Sequence, residues 1–390
     1  MNHKIPTLVK KLNPHNPTDS GVRVKILIAT GIYPPDIGGP ATYSVLLNEE
    51  FKKVGYKTKI ITYSDFVSSK DGVIRINRKQ NIFFRYIKYF LTVFKLAKGF
   101  DIVYVLDLMS AGLPAMLAAR VRGKKVVFRT GGDFLWEKAF ATNWTNKSLE
   151  QYYEDKKNIK EKFLIWFCRW ILKKIDFVIF STELQKKIYV KHYFLELKKT
   201  FIITNAVPDN SNYKISNISN KIIFAGRLIK LKNLDRLINV FKEIKDSYAL
   251  EIYGEGPQKR EIANNISKNR LNNKIFLRGY VEHSELLDKI SRCRFVILPS
   301  ITEISPNLAL ECLSMGKPII VTKNTGFEPE ILKEVIMINP FSTEDTKNKI
   351  SFLLDNNSLL EYEKKLNLHK VKPRSWQIVA KEHLEIFKRL

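Results

Sequence analysis

Short apolar runs alternate with longer stretches of helical period along all 390 residues, and this limits the chain to an α/β fold on parallel sheets. Parallel neighbours need a crossover between them, and an intervening helix supplies it. In the first half the spacing predicts strands at 24–29, 58–62, 102–106, 126–129, 177–180 and 201–203. Helical patterns fill the gaps near 41–53, 82–98, 111–121 and 159–174. The second half offers strands at 222–225, 250–253, 275–277, 295–298 and 319–321. Residues 205–220, rich in Asn, Ser and Pro, read as a linker between the halves. A chain of this length exceeds one compact core, so two domains are expected.

Two strand-to-helix junctions carry chemistry. Strand 222–225 runs into Gly226-Arg227-Leu228-Ile229-Lys230-Leu231-Lys232-Asn233 and then into an amphipathic stretch. A glycine that lets the backbone turn, with two cations before a helix, makes a phosphate site at the carboxyl end of a parallel strand. Further on, Glu303 and Glu311 flank Ser305-Pro306-Asn307-Leu308. Ser305 is expected as N-cap and Pro306 as the first helical residue, with Leu308, Leu310 and Leu313 apolar. One carboxylate then precedes the helix and the other lies nearly two turns inside it, with unpaired N–H groups aimed between them. Paired glutamates alone would read as solvated charge. Together with the upstream cations they suit a ligand with hydroxyls at both ends and phosphate in the middle, and a sugar nucleotide is such a ligand.

In these residues the chain resembles the retaining glycosyltransferases of family four, which share the two-Rossmann-domain GT-B architecture. The matching pieces are Gly38-Gly39, Gly226-Arg227-Leu228 to Lys232-Asn233, Gly254-Glu255-Gly256-Pro257, Leu298-Pro299-Ser300, Glu303 to Glu311 and Gly316-Lys317-Pro318. The likeness runs from Val22 to the end and is more specific in the second half. It implies two Rossmann-like parallel-sheet domains facing a cleft, with a C-terminal helix crossing back to the first. The expected division is a loose tail at 1–21, an acceptor-side domain at 22–207, a nucleotide-sugar domain at 208–375 and the crossing helix at 376–390.

The resemblance also implies roles. Arg227 and Lys232 would hold the donor diphosphate, Gly226 giving close backbone approach, and the helix start at Ser305, Asn307 and Leu308 would add N–H groups. Glu311 would accept from ribose hydroxyls and Glu303 from the transferred sugar near its anomeric carbon. Tyr280 and Val281 would border the base. Gly254 is expected to line the nucleotide pocket in a turn that opens a helix at Pro257, a plain capping turn being the alternative. Gly38 and Gly39, on the first strand-to-helix turn, would let an acceptor or phosphate approach. The first domain departs from the family. Many of these enzymes carry a histidine after the strand that ends here at Arg129, yet the chain reads Thr130-Gly131-Gly132-Asp133-Phe134-Leu135-Trp136-Glu137 and has no histidine between His15 and His192. Asp133 is expected to contact the transferred sugar or the acceptor hydroxyl in its place, with a helix cap as its alternative role and Glu137 as a weaker candidate.

Composition bounds the partners. The net charge of +27 and pI near 9.7 call for an anionic partner or a lysine-rich background. Zinc spacings, RNP-like aromatic strands and basic zippers are all missing, so nucleic acid is not expected. Residues 78–98, and Trp166, Phe167, Arg169, Trp170 and Lys173, mix cations with aromatics as a membrane-surface segment does, unless those aromatics face a core. Cys168, Cys293 and Cys312 lie far apart without metal-type spacing, which suits a reducing compartment. No apolar run reaches membrane-spanning length, and residues 1–20 lack a signal-peptide core. The expectation is a cytoplasmic enzyme, peripheral at the inner membrane face, needing neither cofactor nor metal because no Asp-x-Asp pair is present. It would move a hexose from a nucleotide diphosphate sugar to a lipid-linked or cell-envelope glycan. A synthase of a soluble disaccharide or glycoconjugate precursor, and a non-catalytic nucleotide- or glycan-binding module, are the alternatives.

Overall fold

A computed structural model describes residues 24–36, 38–65, 72–210, 212–213, 215, 219–368 and 371–390. The expected 1–21 tail lies outside the described residues. Seven strands form the first sheet: β1 Ile26–Ala29, β2 Thr58–Ser64, β3 Ile74–Asn77, β4 Ile102–Val105, β5 Lys125–Thr130, β6 Phe177–Phe180 and β7 Thr200–Ile202. Six form the second: β8 Lys221–Ala225, β9 Ala249–Tyr253, β10 Ile275–Gly279, β11 Phe295–Leu298, β12 Ile319–Thr322 and β13 Ile336–Ile338. Every pairing is parallel, in the orders β3-β2-β1-β4-β5-β6-β7 and β10-β9-β8-β11-β12-β13.

Strands covered on both faces read as continuous apolar runs, which is why the central ones are visible in the sequence. In β1, Leu27 and Ala29 join the core beneath helices Ile82–Leu96 and Ile159–Lys173, whereas Ile26 and Ile28 face the opposite core with Leu47 and Phe51. Apolar patterning misses β3 and β13, edge strands too short or too polar (Ile-Arg-Ile-Asn in β3) to leave such a run. It also passes over helices Phe134–Ala141, Leu149–Glu154 and Glu183–Tyr193.

The chain passes between the sheets twice. Val207, after β7, and Arg374, ahead of the last helix, exchange two backbone hydrogen bonds of 2.9 Å, so both passes are stitched together. Helix Trp376–Phe387 then packs against helix Gly39–Lys53 on the first sheet. Its His383 is wholly buried. Nδ1 lies 2.7 Å from the Val379 carbonyl and carries the proton, so Nε2 accepts from the hydroxyls of Tyr104 at 3.0 Å and Tyr43 at 3.3 Å. Burial keeps the ring neutral and pushes its pKa down to about 3 from the ordinary 6.5.

A pH dependence follows. Below pH 6.5 the unfolded chain protonates this histidine while the native state refuses the proton, so its contribution to stability falls with pH toward about 3. The slope is up to about 1.4 kcal/mol per pH unit. Urea unfolding at stepped pH should show it, and His383→Asn should flatten it while lowering stability at neutral pH.

Candidate active site

Both sheets reverse their strand order, between β1 and β4 in the first and between β8 and β11 in the second. Such reversals open a crevice at the carboxyl ends of the strands. Here the two crevices face each other across one cavity of about 780 Å³. The first half lines it with Gly38, Gly39, Asp107, Arg129 and Glu137, and the second with Gly226, Arg227, Lys232, Glu303, Ser305 and Asn307.

The cations are set by backbone geometry. Gly226 (φ +155°) follows β8, and Gly254 (φ +128°) follows β9. A Cβ on Gly254 would lie 2.0 Å from the Gly226 carbonyl oxygen, so these two turns touch backbone to backbone. That contact is the role the structure gives Gly254, which does not line the cavity; nor does Pro257 start a helix, since the next one begins at Lys259. Lys232 ends a 3₁₀ turn, Lys230–Lys232, stopped by Asn233 in the left-handed region. The Asn233 amide donates to the carbonyls of Pro299 at 3.1 Å and Pro340 at 2.9 Å, tying this turn to the loops after β11 and β13. Lys232 Nζ then sits 2.5 Å from Glu303 Oε1, an oxygen that also accepts from Ser300 Oγ at 2.5 Å. Arg227 stands exposed beside them.

Helix Asn307–Met315 starts one residue later than expected. Pro306, with ψ 91°, is the N-cap, and Ser305 makes no cap bond. Ser305 Oγ and Asn307 Oδ1 instead accept from the Asn205 amide at 2.9 and 2.7 Å. Arg129 at the end of β5 donates to Asn205 Oδ1 at 2.5 Å and stacks 3.5 Å from the Tyr43 ring centre. This chain of contacts joins the first sheet to the N–H-bearing end of the helix, and no local pattern of residues announces it. Leu308 packs partly against the second core. Glu311 does not line the cavity. Its carboxylate lies 3.4 Å from His283 Nε2, a contact that raises the His283 pKa, and nothing in the residues around His283 marks it in advance. Tyr280 projects into solvent, 52% exposed, donating to Glu282 at 3.1 Å, and Val281 packs on the second core; neither lines the cavity.

The Asp133 expectation is overturned. Asp133 is 1% exposed and caps helix Phe134–Ala141, accepting from the Trp136 amide at 2.8 Å and the Tyr153 hydroxyl at 2.9 Å. An acid in a Gly-Gly-Asp turn at a helix start satisfies the free amides there, which turns it away from the cleft. Burial raises its pKa to about 6. Glu137, one turn on, is the carboxylate that reaches the cavity. Its Oε1 accepts from the Asp133 amide at 3.1 Å, and any Cβ on Gly132 would lie 2.5 Å from that oxygen. Glu137 is open to the cavity, yet protein from both halves surrounds it and raises its pKa to about 7; Asp133 adds to the rise, while Arg227 and Lys232 oppose it. Asp107, after β4, is a further acid that sequence reasoning missed. Its Oδ1 accepts from Ser110 Oγ and the Ala111 amide, both at 2.9 Å, while its buried Oδ2 has no hydrogen-bond partner among the described residues.

Residues 208–368 match the family described as Glycosyl transferases group 1, and residues 37–211 match Glycosyltransferase Family 4. An uncharacterized glycosyltransferase of Methanocaldococcus jannaschii is 28% identical over 202 residues, which is 48% of this chain and about half (48%) of that relative's length. One subunit of the phosphatidylinositol N-acetylglucosaminyltransferase of Arabidopsis thaliana is 23% identical over 385 residues, covering 92% of this chain and 80% of the relative. Among solved structures, Anabaena HepE in complex with UDP and glucose superposes with a TM-score of 0.72 at 12% identity, over 94% of this chain and 100% of that one. The molecule is a glycosyltransferase of the GT-B type. More particularly, the chain belongs to the group 1, family-four glycosyltransferases.

The two first-domain acids separate by experiment. Asp133→Ala should lower stability by about 0.5–2 kcal/mol through the lost cap. Glu137→Gln keeps the Asp133 cap and removes a carboxylate whose pKa is raised by its surroundings, so it should not lower the urea midpoint. Equal midpoints for the two variants would contradict the capping role.

Proposed function

We propose that this glycosyltransferase is a retaining enzyme that moves a hexose from a nucleotide diphosphate sugar to a hydroxyl of a lipid-linked or cell-envelope glycan. The observation that carries the donor half is the grouping of Arg227, Lys232, Glu303 and the Asn307 helix start around one cavity. A neighbour of the same fold with UDP and glucose bound supports that reading.

As the bond from the anomeric carbon to the diphosphate breaks, negative charge grows on the departing oxygen. Arg227 and Lys232 neutralise it, aided by the unpaired amides that open helix Asn307–Met315. Each charge-assisted contact contributes about 1.5–3 kcal/mol, so the pair supplies roughly two to four powers of ten in rate. In this scheme Lys232 leaves Glu303 for the phosphates, and the freed Glu303 accepts from sugar hydroxyls. The acceptor oxygen attacks the face the diphosphate leaves, and its proton passes to the departing phosphate oxygen. Protein cations take the place of a metal.

The acceptor half is supported by an apolar surface beside the cavity. Helix Ile82–Leu96 exposes Ile82, Phe83 (68%), Phe84, Ile87 and Leu91, and helix Ile159–Lys173 exposes Phe163, Trp166 (58%) and Trp170. Both cover the same face of the first sheet, and exposed Lys88, Lys95, Lys160, Lys162 and Lys173 lie among these residues. Ile82 and Tyr86 also line the cavity, so the apolar surface reaches its rim. No helix among the described residues is long and apolar enough to cross a membrane. Aromatics among lysines suit contact with an anionic lipid surface. The phosphatidylinositol-directed name of one relative agrees with a lipid acceptor.

A thermal-shift panel of UDP-, GDP- and ADP-sugars identifies the donor, because a bound ligand stabilises by mass action. With that donor, Arg227→Ala and Lys232→Ala should each cut turnover by at least about tenfold with the fold intact. Full turnover in both would rule out the clamp. Sedimentation with anionic vesicles should weaken as salt rises, since screening shortens the Debye length below about 8 Å; salt-independent or absent binding would speak against the lipid surface.

A further inference from the structure

We infer that Glu137 is a donor-binding residue that takes up a proton as the diphosphate enters, meeting the ligand as a neutral acid that donates a hydrogen bond to one of its oxygens. This rests on the reading of the cavity as a nucleotide diphosphate sugar site.

The geometry supplies the case. Glu137 lies in the first turn of helix Phe134–Ala141, which packs against the 3₁₀ turn Lys230–Lys232 of the other half. Just past that helix, Asn143 Oδ1 accepts from Lys230 Nζ at 3.2 Å, holding the two elements together. The carboxylate therefore shares its cavity with Arg227 and Lys232, the cations assigned to the diphosphate. Its Oε1 is engaged by the Asp133 amide, whereas Oε2 has no hydrogen bond to any described residue. A negative ligand bound there lies beside a carboxylate, and like charges favour the protonated form.

The surrounding charges point the same way. From its own helix start, Asp133 raises the Glu137 pKa; from the second half, Arg227 and Lys232 lower it. Glu303 is paired with Lys232, and the first sheet adds Asp107 and Arg129, of opposite sign, to the same cavity. Once the two cations turn to the phosphates, the groups holding Glu137 ionised are engaged elsewhere. The starting value of about 7 means that a modest push protonates it near neutral pH.

The test uses the full chain with inorganic pyrophosphate, which needs no knowledge of the base, and with UDP, GDP and ADP in parallel. Calorimetry in two buffers of different ionisation enthalpy counts protons taken up. Wild type should take up a fraction of a proton more than Glu137→Gln, which keeps an acceptor for the Asp133 amide. The ratio of variant to wild-type affinity should rise by up to about tenfold per pH unit above roughly pH 7. The ligand's own ionisation is common to both proteins and cancels. Equal proton counts with parallel pH curves would overturn the assignment while leaving the donor site standing. Should the variant fail to fold, zero uptake by wild type beyond the ligand's own would overturn it equally. Failure of wild type to bind any of the four probes would remove the donor-site reading and this inference together.

Discussion

Everything chemical in this molecule depends on where the two sheets reverse direction. A parallel strand delivers its chain to the carboxyl edge, and a reversal parts the two adjoining connections so that a ligand can sit between them. Here four such connections, after β1, β4, β8 and β11, supply Gly39, Asp107, Lys232 and Glu303 to one cavity. The apolar strands hold these loops still, since their residues are buried on both faces. The position of the site is thus set by the order of the strands, and its chemistry by a few polar residues that follow them.

The cavity is electrically mixed although the chain as a whole carries +27. Lys232 and Glu303 neutralise each other in the free protein, which spares a half-buried cation the cost of standing alone. The same pairing makes the site responsive. In the proposed scheme an anionic ligand would compete with Glu303 for the lysine and release a carboxylate suited to hydroxyl groups. Asn233 fixes the turn beneath the lysine, so that exchange would need only the Lys232 and Glu303 side chains to move.

The sequence is most informative where local pattern and global role coincide. Central strands and the Gly226-Arg227 and Glu303 junctions are legible because apolar runs and turn residues mark them directly. Reading fails where a residue's role is set by something distant. The edge strand β3 alternates with polar residues because it has only one neighbour. Ser305 looks like a cap, but Asn205, one hundred residues earlier, takes its hydroxyl. Asp133 and Glu137 are both acids after a glycine pair, and only the direction of the helix start decides which is buried and which meets the cavity. Glu311 shows the same limit, since its partner His283 comes from another connection altogether.

The stitched crossing at Val207 and Arg374 has a mechanical meaning. Two covalent passes that run side by side and are bonded to each other join the halves along a single line, as an axle would. Asn205 stands two residues from that axle, so the tether from Arg129 to the Asn307 helix lies right beside the line where the halves are joined. Ile82 and Tyr86 line the cavity from the first half, and the last helix, though it follows the second half in the chain, is built into the core of the first sheet and belongs mechanically to that half.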